Sequence, residues 1–178
     1  MVVDMQNDFV RSYGRLYVGK LAANSIPAIA SLLQKAREKA VLIVYTQDWH
    51  PQDDLEFKVW GEHCLAGSEG AEIVEELAPK EGDIEIKKTT YDPWFKTDLE
   101  KILVKRRVQS LVVTGTVSNI CVLHTAAGGV IRGFNIVLPL DCVSPLEAYR
   151  EIDQALAARQ ISSVYLGRVT TSDRIEFI

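Results

Sequence analysis

The sequence is sparing with the residues most used in chemistry: it has three cysteines and three histidines in 178 residues. The cysteines (64, 121 and 142) are odd in number and show no Cys-x-x-Cys spacing, which argues against a disulfide framework or a Cys-only zinc site. Long apolar runs are missing as well. Val41-Leu-Ile-Val44 is representative, far below the roughly 20 residues that span a bilayer, so no membrane partner is expected. Basic charge is not in excess. Net charge is −4, and the one dense cluster, Lys105-Arg106-Arg107, suits the C-terminal turn of a helix. Nucleic acid is therefore not an expected partner. No glycine-rich phosphate loop follows the first apolar run, which argues against nucleotide binding. No secretory leader pattern opens the chain, and a cytoplasmic protein is expected. Repeats, low-complexity segments and linkers are also lacking, so residues 1–178 read as one domain.

What is present is alternation. Short β-branched runs lie near Met1–Met5, Val41–Thr46, Asp83–Lys87, Ser110–Gly115, Phe134–Leu140 and Ser162–Leu166. Most are continuously apolar, as parallel strands buried on both faces are. Helical patterns separate them. Residues 26, 29, 32, 33 and 36 form an apolar stripe over Asn24–Lys39. A short helix is predicted over Gly70–Leu77. Thr97-Asp-Leu-Glu100 reads as a capping box for a helix to about Arg106, and Ser144-Pro-Leu-Glu147 as another with proline at the first helical position. A helix over Ser118–Arg132 would stop at Gly133. This alternation predicts an α/β fold, a three-layer α/β/α sandwich on a six-stranded parallel sheet. The connection Gln47–Ser68 is too long for an idle loop in a compact fold.

In such sheets ligands bind beyond the carboxyl ends of the strands, and the polar residues there are distinctive. Asp4 ends the first run; it is either a turn cap or a base whose pKa a dry site would raise. Asp8 reads as a loop residue capping its own turn. Lys88 ends "DIEI"; it is either solvated or a charge that holds a neighbouring carboxylate and thiolate ionised. Lys87 alternates to the opposite side. Asp48 and His50, two apart, share a face of an extended segment, and His63 follows in the long loop. Two histidines and a carboxylate form a common open site for Zn²⁺, Fe²⁺ or Mn²⁺; the alternative is a pair of hydrogen-bonded loop histidines. Cys121 falls about one turn into its helix, where free N–H groups and the helix dipole favour a thiolate and could hold an oxyanion. Chemistry alone leaves it balanced between nucleophile and core cysteine. His124, three residues on, reads as a packed or surface residue, and Cys64 and Cys142 as structural.

Five stretches in order, "VVDMQNDF", "TQDWHP", "VWGEHCLAGSEGAE", "KTTYDPWFKTDLEKIL" and "GTVSNICVLHTAAGGVIRGFNIVLPLDCV", resemble the isochorismatase-like cysteine hydrolases, and among them the nicotinamidases. The resemblance covers essentially the whole chain. It implies a homodimer or homotetramer acting on a small-molecule amide. It implies a catalytic triad of Asp4, Lys88 and Cys121, with Lys88 chosen over Lys87 by its spacing to Tyr91. It implies a cis peptide at Thr116–Val117 that aims the N–H of Val117, with that of Cys121, into an oxyanion hole. It implies a divalent metal, zinc ahead of iron or manganese, on Asp48, His50 and His63. The substrate pocket would comprise Phe9, Trp60, Phe95, Thr116 and Val117.

The chain also departs from the nicotinamidase pattern. Trp60-Gly-Glu-His-Cys64 replaces Trp-Pro-x-His-Cys, Asp54 stands where many members carry a further histidine, and Ser118-Asn119 replaces Thr-Asp. Tyr91-Asp-Pro-Trp94 replaces Tyr-Ser-x-Phe. These changes surround the pocket and leave the chemistry intact. Other branches act on N-carbamoyl compounds, ureidoacrylate, biuret or isochorismate; the non-enzyme alternative for this chain is a catalytically inactive binding protein on the same fold. Several of those branches lack the metal ligands, so the full set favours a nicotinamidase.

Overall fold

The structure, a computed structural model, describes residues 1–178. Eight strands form: β1 (Val2–Val3), β2 (Val44–Asp48), β3 (Ile84–Lys88), β4 (Ser110–Val112), β5 (Thr114–Thr116), β6 (Asn135–Pro139), β7 (Val143–Ser144) and β8 (Arg168–Thr170). Six α-helices accompany them: α1 (Asn7–Val10), α2 (Lys20–Glu38), α3 (Phe57–Trp60), α4 (Leu99–Lys105), α5 (Cys121–Ile131) and α6 (Arg150–Arg159). No helix is long and apolar enough to cross a membrane.

Every strand pairing is parallel, but the expected six-stranded sheet is corrected to two: β3-β2-β1-β5-β7 and β4-β6-β8. The cause is the shortness of β1. It pairs with β2 and β5 through Val2 and Val3 only, and leaves β4 paired with β6 alone. An apolar cavity of about 420 Å³ lies below β1, between Val41–Val44 and Ser110–Val112.

Val2 and Val3 show how the layers form. Successive side chains of a strand point to opposite faces. Val2 packs in one core with Ile26, Ile29 and Leu32 of α2, and Val3 in the other with Leu99, Leu103, Val122 and Ala126 of α4 and α5. Gly115 is needed where β5 passes β1: its φ is +112°, and a Cβ there would lie 2.0 Å from the Val3 carbonyl oxygen.

Several local expectations fail for identifiable reasons. Ser162–Leu166 is no strand. Gln160–Val164 continues α6 as a π-helical turn, burying Ile161 and exposing Val164 and Leu166, and the strand forms later as β8. Gly70–Leu77 yields two 3-10 turns, Glu69–Ala71 and Glu75–Leu77, instead of one helix. Ser144 lies in β7, and α6 starts only at Arg150. Glu147 instead caps α2 from a distance, accepting the Lys20 N–H at 2.8 Å, so that helix begins before the predicted Asn24. The other capping box is also unmade. Thr97 accepts the Leu99 N–H, while Glu100 pairs with Arg132. Finally, α5 begins at Cys121 itself; residues 118–120 form a turn before it.

Candidate active site

The carboxyl ends of β1, β2, β3 and β5 converge on one buried polar cluster. Asp4 follows β1 directly in a left-handed conformation (φ 51°), with its N–H bonded to the Thr46 carbonyl at 3.1 Å. One carboxylate oxygen accepts the Thr46 hydroxyl at 2.6 Å, and the other lies 2.8 Å from Lys88 Nζ. Lys88 closes β3 and is only 2% exposed. Its ammonium also pairs with Asp48 Oδ1 and lies 4.0 Å from Cys121 Sγ. A carboxylate oxygen of Asp4, one of Asp48 and the sulfur of Cys121 lie within 4.8 Å of one another. Lys87 alternates outward and covers the Trp49 ring at 3.5 Å.

Electrostatics assigns different states to these groups. Burial drives the Asp4 carboxyl up, with Lys88 opposing and Asp48 adding to the rise. Burial also pushes Asp48 upward, but the Lys88 ammonium outweighs it and holds its pKa below the usual range. Burial disfavours the Lys88 ammonium, yet Asp4 and Asp48 together keep its pKa well above normal. Burial raises the Cys121 thiol well above normal despite Lys88. The resting arrangement is therefore a thiol beside a carboxylate–ammonium pair, rather than a preformed thiolate. Of the two carboxylates, Asp4 is the one tuned to exchange a proton.

The Thr116–Val117 peptide is cis. The N–H groups of Val117 and Cys121 have no acceptor in the protein, as expected of donors reserved for a ligand oxygen. His124 is exposed, with Nδ1 held 2.8 Å from the Ile120 carbonyl, and stands apart from the cluster.

A second cluster adjoins the first through Asp48. Asp48, His50, Glu56 and His63 each offer a ligand atom within 4.8 Å of the others. His50 Nδ1 donates to Asp54 Oδ2 at 3.0 Å and His63 Nδ1 to the Gly61 carbonyl at 2.8 Å. In the neutral form, each ring so held presents its Nε2 lone pair, 3.8 and 4.0 Å from Asp48 Oδ2. His50 Nε2 is buried and has no hydrogen-bond partner. A bare buried nitrogen costs free energy unless something pairs with it. Two imidazoles fixed from behind, facing carboxylates, form a donor set suited to a divalent ion such as zinc. Asp54, at the place of the further family histidine, lies behind this set as the partner of His50.

A small cleft opens onto both clusters. Phe9, Leu16, Val18, Trp60, Tyr91, Thr116, Val117, Ile120 and Leu146 line it beside Asp48, Glu56, His63 and Cys121. Phe9, Trp60, Thr116 and Val117 stand where expected. Phe95 does not: it is 54% exposed under the Lys96 ammonium. The turn after Pro93 sends Trp94 inward, stacked on Phe134 with its indole N–H on the Thr125 carbonyl, and so Phe95 faces outward. Tyr91, which served only as a spacing marker in the sequence, holds the Trp60 indole N–H on its hydroxyl at 2.7 Å.

Two polar residues escaped the sequence reading and a third, Asp8, has another role than the one expected. Glu56 joins the histidines because α3 folds the long connection back, and no spacing rule announces that. Gln6 grips the Asp48 backbone, accepting its N–H and donating to its carbonyl, both at 2.8 Å. Asp8 does not cap its own turn but reaches Cys64 and Arg15.

The isochorismatase domain model matches residues 1–173. The N-carbamoylsarcosine amidase of Thermoplasma acidophilum is 30% identical, with 99% of this chain and 96% of that one covered and a TM-score of 0.88. The pyrazinamidase of Pyrococcus horikoshii, solved in complex with zinc, is 30% identical over 96% of each chain, with a TM-score of 0.87. The nicotinamidase of Saccharomyces cerevisiae is 26% identical, covering 92% of this chain and 97% of its own length. The match across nearly all of the sequence, together with the α/β architecture, shows that this chain belongs to the isochorismatase family.

Proposed function

We propose that the chain is a metal-containing cysteine amidohydrolase that converts nicotinamide and water to nicotinate and ammonia. One observation carries the choice of substrate. Apolar side chains dominate the cleft, its titratable lining residues include Asp48, Glu56 and His63, and no lysine or arginine lines it. A carboxylate-bearing ureido substrate would find no lysine or arginine on these walls to pair with its charge, whereas a flat uncharged amide meets complementary apolar walls.

The steps use the chain's own groups. Asp4 accepts the Cys121 proton while Lys88 stays charged beside it, and the sulfur attacks the amide carbon. The oxygen that gains charge takes the free N–H groups of Val117 and Cys121. Asp4 returns its proton to the nitrogen, the C–N bond breaks, and ammonia leaves a thioester on Cys121. Asp4 then takes a proton from water, whose oxygen attacks the thioester. Collapse releases the acid, and the proton on Asp4 restores the thiol. Asp48, His50, His63 and Glu56 would hold the divalent metal, which as a Lewis acid supplies coordination for the pyridine nitrogen and so orients the ring.

Ammonia release from a panel of small amides tests the reading. Nicotinamide and pyrazinamide should turn over and N-carbamoyl amines should not. Turnover of an N-carbamoyl or ureido compound with none of nicotinamide would replace this assignment by the amidase activity named for the Thermoplasma protein.

A further inference from the structure

Asp8 is a buried carboxylate, 5% exposed, to which the chemistry above gives no task. It stands at a junction of three segments. Oδ2 accepts the Cys64 N–H at 2.7 Å and Oδ1 the Arg15 N–H at 3.0 Å, while its backbone carbonyl accepts the Leu16 N–H at 3.1 Å. The next residue, Phe9, accepts the Val18 N–H at 3.0 Å. Leu16 and Val18 line the cleft on one side, and Cys64 follows His63 on the other.

The Cys64 bond has a specific consequence. Cys64 adopts a left-handed φ of 43°, unfavourable for a residue with a side chain. The kink is held from two directions: by Asp8 on the Cys64 N–H, and by the His50 N–H on the Cys64 carbonyl at 3.0 Å. It bends the chain just after His63, whose Nε2 faces Asp48 at 4.0 Å. Gly70 leaves the room for this arrangement, since a Cβ there would lie 2.3 Å from Asp8 Oδ2.

We propose that Asp8 is a positioning residue for the metal cluster: it fixes the kink at Cys64 and thereby aims His63 at Asp48. This rests on the metal reading of Asp48, His50, Glu56 and His63. An asparagine would keep the shape, but its one amide oxygen can serve only one of the two N–H groups, and its NH₂ would oppose the other.

Two variants test this from different sides. Asp8→Asn changes the acceptor, whereas Gly70→Ala leaves Asp8 intact and displaces its carboxylate. Each should raise the zinc dissociation constant roughly ten- to a hundred-fold, measured by competition with a chromogenic chelator. Each should leave the rate of Cys121 alkylation in the metal-free protein within about two-fold of the parent. Where Asp8→Asn fails to fold, Gly70→Ala still tests the role of the carboxylate. Unchanged zinc affinity in a folded variant overturns the proposal while the metal reading stands. Equal losses of zinc affinity, alkylation rate and metal-free melting temperature overturn it too, because they mark general loosening. A parent protein that binds no zinc, iron or manganese sinks the metal reading itself, and this proposal with it.

Discussion

Asp48 and Lys88 form an ion pair that belongs to two clusters at once. Asp48 Oδ1 meets the lysine, whereas Oδ2 faces the imidazoles of His50 and His63. Lys88 in turn reaches Asp4 and Cys121. The group that would hold a metal therefore also sets the charge around the nucleophile. Asp48→Asn should abolish metal binding and also change Cys121 alkylation, because it leaves the buried ammonium with one carboxylate instead of two. His50→Ala should weaken metal binding while leaving alkylation of the metal-free protein within about two-fold. Equal alkylation rates in Asp48→Asn and His50→Ala would show that the two clusters are independent.

The thiol is buried and protonated at rest, so its reactivity should depend on Asp4. Cys121→Ala should lower turnover roughly 10³-fold or more with the fold kept. Asp4→Asn should do so comparably and also slow alkylation of Cys121, since the carboxylate left near the sulfur is Asp48, whose lowered pKa makes it a poor proton acceptor. Mass mapping checks selectivity, because Cys64 and Cys142 are buried and neither sulfur has an ammonium within hydrogen-bond reach, as Cys121 has in Lys88. Their thiols are pushed far up and up to about 12, respectively. Faster labelling of either one than of Cys121 would contradict the nucleophile assignment.

Trp60 and Phe95 separate cleft from surface. Trp60 lines the cleft and is pinned through Tyr91, whereas Phe95 lies outside it. Trp60→Ala should raise KM for nicotinamide about ten-fold, equivalent to roughly 1–2 kcal/mol of lost apolar contact. Phe95→Ala should leave KM within about two-fold. A comparable rise in both variants would place Phe95 against the substrate after all.

Much of this site was legible because it is built from strand ends. An acid after a two-residue strand, a lysine at the end of β3 and an Asp-x-His after β2 must share one rim once the strands run parallel. Asp4, Lys88, Asp48 and His50 could be placed from alternation alone. Cys121 needed the family pattern, since chemistry left it balanced with a core cysteine. What stayed hidden depends on how loops fold back. Glu56 enters the cluster through a four-residue helix, and Asp8 acts on Cys64, 56 positions away. The capping boxes misled for a related reason: Glu147 satisfies α2 rather than its own neighbour, a tertiary choice that local spacing does not encode.

Asp83, just before β3, takes both guanidinium nitrogens of Arg37 at 2.7 and 2.8 Å and the Lys80 N–H at 2.8 Å. Burial pushes its pKa up, but the bonds from Arg37 and Lys80 outweigh this and leave it below the ordinary aspartate value. A carboxyl whose pKa is depressed by folding stabilises the native state above its unfolded pKa, near 3.9, and that contribution is lost as pH falls through the lower folded value. At pH 7 Asp83→Asn should therefore cost about 1–2 kcal/mol, a figure kept small by the partial exposure of Arg37. The difference between parent and variant should shrink as pH drops below about 4, read from urea unfolding at pH 7 and at pH 3. A difference of the same size at both pH values would mean that Asp83 acts through shape alone, with no linkage to its charge.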